Sequence, residues 1–153
     1  MANVQDSISL LTENDLFLFN EGSHFRLYDK LGAHVVKSAK TTGTYFAVWA
    51  PNADYVAVIG EFNGWDKSSH RLYPTGESGI WEGCFPEVGK GTLYKYHIRS
   101  RFNGYRVDKA DPFSIFNEIP PKFASIVWDL DYQWNDRQWM AERRQHQGSD
   151  KPM

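Results

Sequence analysis

The chain has 153 residues, enough for one domain that buries roughly 68–70% of the surface its unfolded form exposes. A net charge of -2, with 24% charged and 41% hydrophobic residues, excludes a disordered tail and a basic nucleic-acid binder. No apolar run approaches the ~18–20 residues of a membrane helix, and a single cysteine, Cys84, excludes a disulfide framework and a cysteine-based metal site.

The N-terminus, MANVQDSISLL, carries an acid where a secretion signal needs a basic region, so the expected location is the cytoplasm. Residues 1–11 are expected to fray. Thr12-Glu13-Asn14-Asp15 then matches the pattern in which a hydroxyl caps a helix and an acid three residues on reaches back. A short helix is predicted over 12–21, stopped by Gly22. Residues 28–32 predict one more helical turn. From Gly43 the apolar period changes to two. Strands are predicted at 43–50, 54–62, 80–85 and 92–102. In the last of these Tyr94, Tyr96 and Ile98 take the packed face, with Lys95, His97, Arg99 and Arg101 on the wet one. Asn103-Gly104 predicts a hairpin returning through 105–107. A final strand is predicted at 124–130 and a terminal helix at 135–146. Six or seven short strands without βαβ alternation predict an all-β fold, a β-sandwich with short helices at its two ends.

Catalytic patterns are weak. Asp108 and Asp111, or Asp129 and Asp131, form carboxylate pairs, but such acids at turns and strand ends mostly cap backbone amides. The five histidines have no metal spacing, no serine sits in a G-x-S-x-G elbow, and Gly89-Lys90-Gly91 precedes no helix that would hold a phosphate. No cofactor and no metal site is expected. The unusual quantity is the 16% aromatic content. In EFNGWD (61–66), Trp65 directly follows a tight turn. Such a tryptophan either caps the core or presents one flat apolar face, and the pattern leaves both open. The C–H face of a pyranose matches the second case. Lys95 on the wet strand face would then donate to the hydroxyl rim, and Tyr105, just past the hairpin, would add a second platform.

Longer stretches carry a resemblance: LYDKLGAH (27–34), FAVWAPNADYVAVIGEFNGWD (46–66), GIWEG (79–83), LYKYHI (93–98), GYRVDKADPF (104–113) and PPKFASIVWDLDYQW (120–134). Together they resemble the amino-terminal part of bacterial 1,4-α-glucan (glycogen) branching enzymes, over about residues 10–153. FAVWAPNA and FNGWD alone resemble the wider carbohydrate-binding module family 48. The resemblance implies an immunoglobulin-like β-sandwich and three parts: an N-terminal extension (1–42), the sandwich (43–134), and a terminal helix and linker (135–153) leading to a catalytic (β/α)₈ barrel. A barrel needs about 250 residues, so the expectation is that this chain does no chemistry itself. The partners implied are α-1,4-glucan (glycogen, maltooligosaccharides) and the barrel of the same polypeptide, with neither nucleic acid nor membrane. The glycan-binding positions implied are Trp65, Lys95 and Tyr105. A last platform falls near Pro121–Ser125, where this sequence has Phe123 in place of a small polar residue. The alternative expectation is a structural domain that packs on the barrel and touches no sugar.

Overall fold

A computed structural model describes residues 8–37 and 42–146. Of residues 1–11, expected to fray, 1–7 lie outside the described residues, as does the expected linker at 147–153, whereas Leu10 and Leu11 pack against the first sheet. Helix α1 (Glu13–Glu21) begins as the sequence predicts. Asp15 N–H donates to the Thr12 hydroxyl at 3.1 Å, and Thr12 N–H donates back to Asp15 Oδ2 at 2.8 Å. Gly22, in the left-handed region at φ 80°, ends it.

Eight strands follow: β1 (Gly32–Lys37), β2 (Thr42–Trp49), β3 (Ala53–Gly60), β4 (Tyr73–Pro74), β5 (Ile80–Phe85), β6 (Leu93–Ser100), β7 (Arg106–Lys109) and β8 (Ser125–Ile126). All pairings are antiparallel. One sheet has the order β1-β2-β5-β4, the other β3-β6-β7, with β8 also on β6. This is the expected immunoglobulin-like sandwich. Its core interleaves Phe46, Val48 and Trp81 of the first sheet with Val56, Val58, Tyr94 and Tyr96 of the second. Phe46 meets Tyr94 edge-on at 5.1 Å, the geometry that aromatic quadrupoles favour.

The structure departs from the sequence-based elements in four places, the first being β4, which has no counterpart among the predicted strands. Residues 32–37 form an edge strand of the first sheet, which the helical-turn reading of 28–32 did not extend to. Only Leu27–Asp29 turns as a short 3₁₀ helix. The final strand covers two residues instead of 124–130. Its partner edge runs out, because Val127 N–H reaches Thr92 O and the chain beyond it turns away at Gly89–Gly91. The outer face of β6 is also less wet than expected. His97 is buried, its Nδ1–H donating to Asp108 Oδ1 at 2.6 Å.

Residues 10–31 are part of this architecture. Tyr45, Ala47 and Ile80 leave the first sheet on the face opposite the core, and Leu10, Leu11, Leu16 and Phe19 cover them. Asp15 fixes that cover, since it also accepts from His24 Nε2 at 2.8 Å and faces Lys30 Nζ at 3.2 Å. Burial opposes ionisation of Asp15. The Thr12 amide and hydroxyl, His24 and Lys30 outweigh it and hold the carboxyl far below the usual carboxylate range. A depressed pKa stabilises the fold above the unfolded-chain value of about 3.9 and less as pH falls below it. We therefore expect Asp15→Asn to cost about 1–2 kcal/mol in urea unfolding at pH 7. The penalty should shrink steadily as the titration is repeated from pH 4 to pH 2.

Candidate glycan-binding site

The site is built by the crossing from one sheet to the other. β3 ends at Gly60, whose added Cβ would lie 2.2 Å from Leu93 O. Only glycine lets the strands approach so closely there. A 3₁₀ turn (Glu61–Asn63) follows, then Gly64 at φ 61° and Trp65 at φ 63°. A left-handed tryptophan is an outlier costing about 1–2 kcal/mol. Asn63 holds it there: its Oδ1 accepts from Gly60 N–H at 3.0 Å. Its Nδ2 lies 3.1 Å from Val58 O, 3.3 Å from Asp66 O and 3.1 Å from His70 Nδ1. Trp65 N–H closes the loop on Gly60 O at 2.8 Å. The chain then pairs briefly with β3 through Arg71 and Ala57 before joining the other sheet at β4.

The turn brings Trp65 against β6. The Trp65 residue is 37% exposed, so its indole is neither wedged into the core nor loose on the surface. The ammonium of Lys95 sits 5.4 Å from the Trp65 ring centroid and 3.5 Å from that of Phe123, which is 52% exposed. These three side chains line a shallow groove of about 380 Å³ with Leu93, Pro121, Glu61, Glu118 and Lys122. Glu118 Oε2 accepts from Ala124 N–H at 3.1 Å and so fixes the loop that carries Phe123. Lys95 itself has only ring faces as partners among the described residues. Its three N–H donors are therefore available to a ligand, while the carboxylates of Glu61 and Glu118 supply acceptors. Of two larger depressions, the one at Gln133–Gln138 is lined by no ammonium and no carboxylate, and in the one around Asp15 and Phe25 the Lys30 ammonium is already held by Leu10 O at 2.8 Å and Asp15 at 3.2 Å.

Of the three residues expected from sequence, the fold brings Trp65 and Lys95 together and sets Tyr105 apart. Lys95 pairs with Ile59 near the start of β6, whereas Tyr105 O accepts from Ser100 N–H at its far end. Five strand residues separate the two positions, about 17 Å. Tyr105 stands on the hairpin, 65% exposed. Sequence reasoning did not assign Glu61, Leu93 or Glu118; Glu61 enters the groove with the cross-sheet loop and Glu118 with the loop between β7 and β8. Phe123 and Lys122 fall in the platform that the resemblance placed near Pro121–Ser125, and the contact of Phe123 with Lys95 depends on β8 pairing with β6. The carboxylate pairs do not assemble as acid-base partners. Asp111 is buried and accepts from the Tyr94 and Tyr96 hydroxyls at 2.7 and 3.0 Å, and Asp129 is held by Lys90. Among the described residues, no three His, Cys, Asp or Glu side chains gather as metal ligands.

A two-sheet sandwich with an aromatic and ammonium-lined groove at its cross-sheet loop defines a class, the small immunoglobulin-like binding module. The sequence profile of carbohydrate-binding module 48 (isoamylase N-terminal domain) matches residues 30–114, and the chain belongs to that family. It is 48% identical over 146 residues to the 1,4-α-glucan branching enzyme GlgB of Aquifex aeolicus, covering 95% of this chain and 23% of that enzyme. It is 50% identical over 148 residues to GlgB of Corynebacterium efficiens, covering 94% of this chain and 20% of that enzyme. The chain thus spans about a fifth of the length of the curated relatives it matches. In structure it is similar to PulA from Klebsiella oxytoca, with a TM-score of 0.56 and 23% identity over 68% of this chain and 10% of that one. That likeness shows the shared fold.

Asn63 lines no part of the groove yet controls it. We expect Asn63→Ala to cost about 1–3 kcal/mol in denaturant unfolding, because Gly60 N–H and Val58 O lose their partner. It should also raise the solvent exposure of Trp65, read as a red shift and stronger acrylamide quenching relative to a Trp65→Phe control.

Proposed function

We propose that this chain is the α-glucan-binding, amino-terminal module of a 1,4-α-glucan branching enzyme, and that the groove at Trp65, Lys95 and Phe123 takes the sugar. The observation that carries this reading is the Lys95 ammonium, which lies against two partly exposed rings and has no oxygen acceptor among the described residues. A pyranose supplies what that arrangement lacks: an apolar C–H face for the indole and hydroxyl oxygens for the ammonium. At 37% exposure roughly 90 Å² of the Trp65 surface is free, worth about 2 kcal/mol gross when covered. Association costs consume part of this, so one such platform supports millimolar to micromolar affinity. The module would hold a glucan chain while the rest of the enzyme breaks an α-1,4 link and makes an α-1,6 branch. Cytoplasmic placement is part of the same reading. No helix among the described residues is long and apolar enough to cross a membrane.

Tyr105 enters as a separate contact. At about 17 Å from Lys95 it reaches a long glucan but not a short one.

A second role rests on a different observation. Residues 128–134 belong to no strand or helix, and Trp128, Leu130, Tyr132 and Trp134 alternate with polar residues while all four remain exposed. Alternation of this kind marks a segment with one face to bury. Packing of that face against the catalytic part of the same polypeptide is the scaffold role, and it coexists with sugar binding in the groove.

Calorimetric titration of the chain with maltotriose and maltoheptaose separates these contributions. Trp65→Ala should weaken both ligands at least tenfold. Tyr105→Ala should leave maltotriose within twofold and weaken maltoheptaose. Wild-type affinity in Trp65→Ala for both ligands would leave the scaffold role alone.

A further inference from the structure

The outer face of the second sheet carries side chains that the groove does not use. Tyr55, Arg99 and Arg106 stand in register across β3, β6 and β7. Arg71, paired with Ala57 at the open edge of β3, lays its guanidinium 5.3 Å from the centroids of both the Tyr55 and Tyr73 rings. Arg99 packs on Tyr55 at the same 5.3 Å. The strip begins behind the Trp65 loop, since the Tyr55 hydroxyl donates to Lys67 O at 2.7 Å.

Its charge is not balanced. Asp54 is taken by Arg99 at 2.7 Å, and Asp108 by His97 at 2.6 Å and Lys67 at 3.5 Å. Arg71 and Arg106 have no carboxylate within salt-bridge distance among the described residues. Four cations therefore face two carboxylates in a chain whose net charge is -2. A guanidinium held between two rings has lost much of its freedom before any ligand arrives, and its planar fork of donors remains unspent. A neutral sugar is a poor match. It needs acceptors beside the donors and an open ring face, whereas Tyr55 already carries two guanidinium groups. A compact oxyanion taken by paired N–H donors is the better match. Tyr73, 62% exposed beside Arg71, offers a ring to the sugar that bears it.

We infer that Arg71, with Arg99 and Arg106 adjacent, forms a phosphomonoester site through which the module takes phosphate-bearing α-glucan. The glucan half of this inference rests on the function proposed above; the anion half does not. The test follows the arginine Nε–Hε resonances of the chain by NMR at fixed ionic strength and pH 7. Titrants are glucose 6-phosphate, inorganic phosphate and maltose. Glucose 6-phosphate should shift the Arg71 resonance saturably, and inorganic phosphate should do so at least threefold more weakly. Maltose should leave it unmoved. Binding of glucose 6-phosphate, followed on the Arg99 and Arg106 resonances, should weaken at least fivefold in Arg71→Ala and partially in Arg71→Lys, which keeps the charge but not the fork. Trp65→Ala should leave it unchanged while abolishing maltoheptaose binding, so failure of the groove and failure of this site are read separately. No saturable shift, or a shift equally strong in Arg71→Ala, would overturn the site. Equal affinity for inorganic phosphate and glucose 6-phosphate would overturn the sugar-phosphate assignment.

Discussion

The Asn63 carboxamide is the contact on which the binding surface depends. The chain must leave β3 in one sheet and arrive at β4 in the other, and the crossing begins with two consecutive left-handed residues, Gly64 and Trp65. Glycine takes that conformation freely and tryptophan does not. Asn63 bonds backward to Gly60 and Val58 and forward toward Asp66 and His70, so the turn is closed on both sides before the indole is placed. Strain of this size persists only where the surroundings over-determine it. Here it sets a large ring at the rim of the sheet above Lys95, where an ordinary extended residue would have pointed elsewhere.

The rest of the fold gives that turn a rigid base. The first sheet is buried on both faces, by the second sheet on one side and by residues 10–31 on the other. The second sheet has its inner face in the core and its outer face open to ligands. β6 is the common element. It contributes Tyr94 and Tyr96 inward to Asp111, and Lys95 and Arg99 outward to two different surfaces. Burial pushes the Asp111 carboxyl up from its ordinary value, against the hydrogen bonds it accepts from Tyr94, Phe113 N–H and Tyr96. The inner face thus serves the core and the outer face carries the two proposed sites, along a single eight-residue strand.

Much of this was legible in the sequence where the signal is local. The Thr12 capping box and the Asn103-Gly104 hairpin depend on neighbours within a few residues and appear as predicted, and the inward face of β6 does too, whereas its outer face loses His97 to burial beside Asp108. The missed elements are those defined by a distant partner. Gly32–Lys37 is a strand because β2 lies beside it, and residues 127–130 are not, because the β6 edge ends. The site divides the same way. Trp65 and Lys95 were marked by a turn motif and by strand alternation. Glu118 and Lys122 carry no local mark and join the groove only through the loop between β7 and β8. The separation of Tyr105 was a question of register, since Lys95 lies near the start of β6 and Tyr105 on the hairpin past its far end.

The central claim is that the Trp65 indole lies under a glucose ring. Intermolecular NOEs between maltoheptaose and the chain, with tryptophan ring protons assigned through single Trp→Phe variants, test it most directly. The account predicts cross-peaks from pyranose C–H protons to the ring of Trp65, accompanied by contacts to Phe123. Cross-peaks confined to other aromatics, such as Tyr73 or Trp134, with the Trp65 resonances unmoved at saturation, would contradict it.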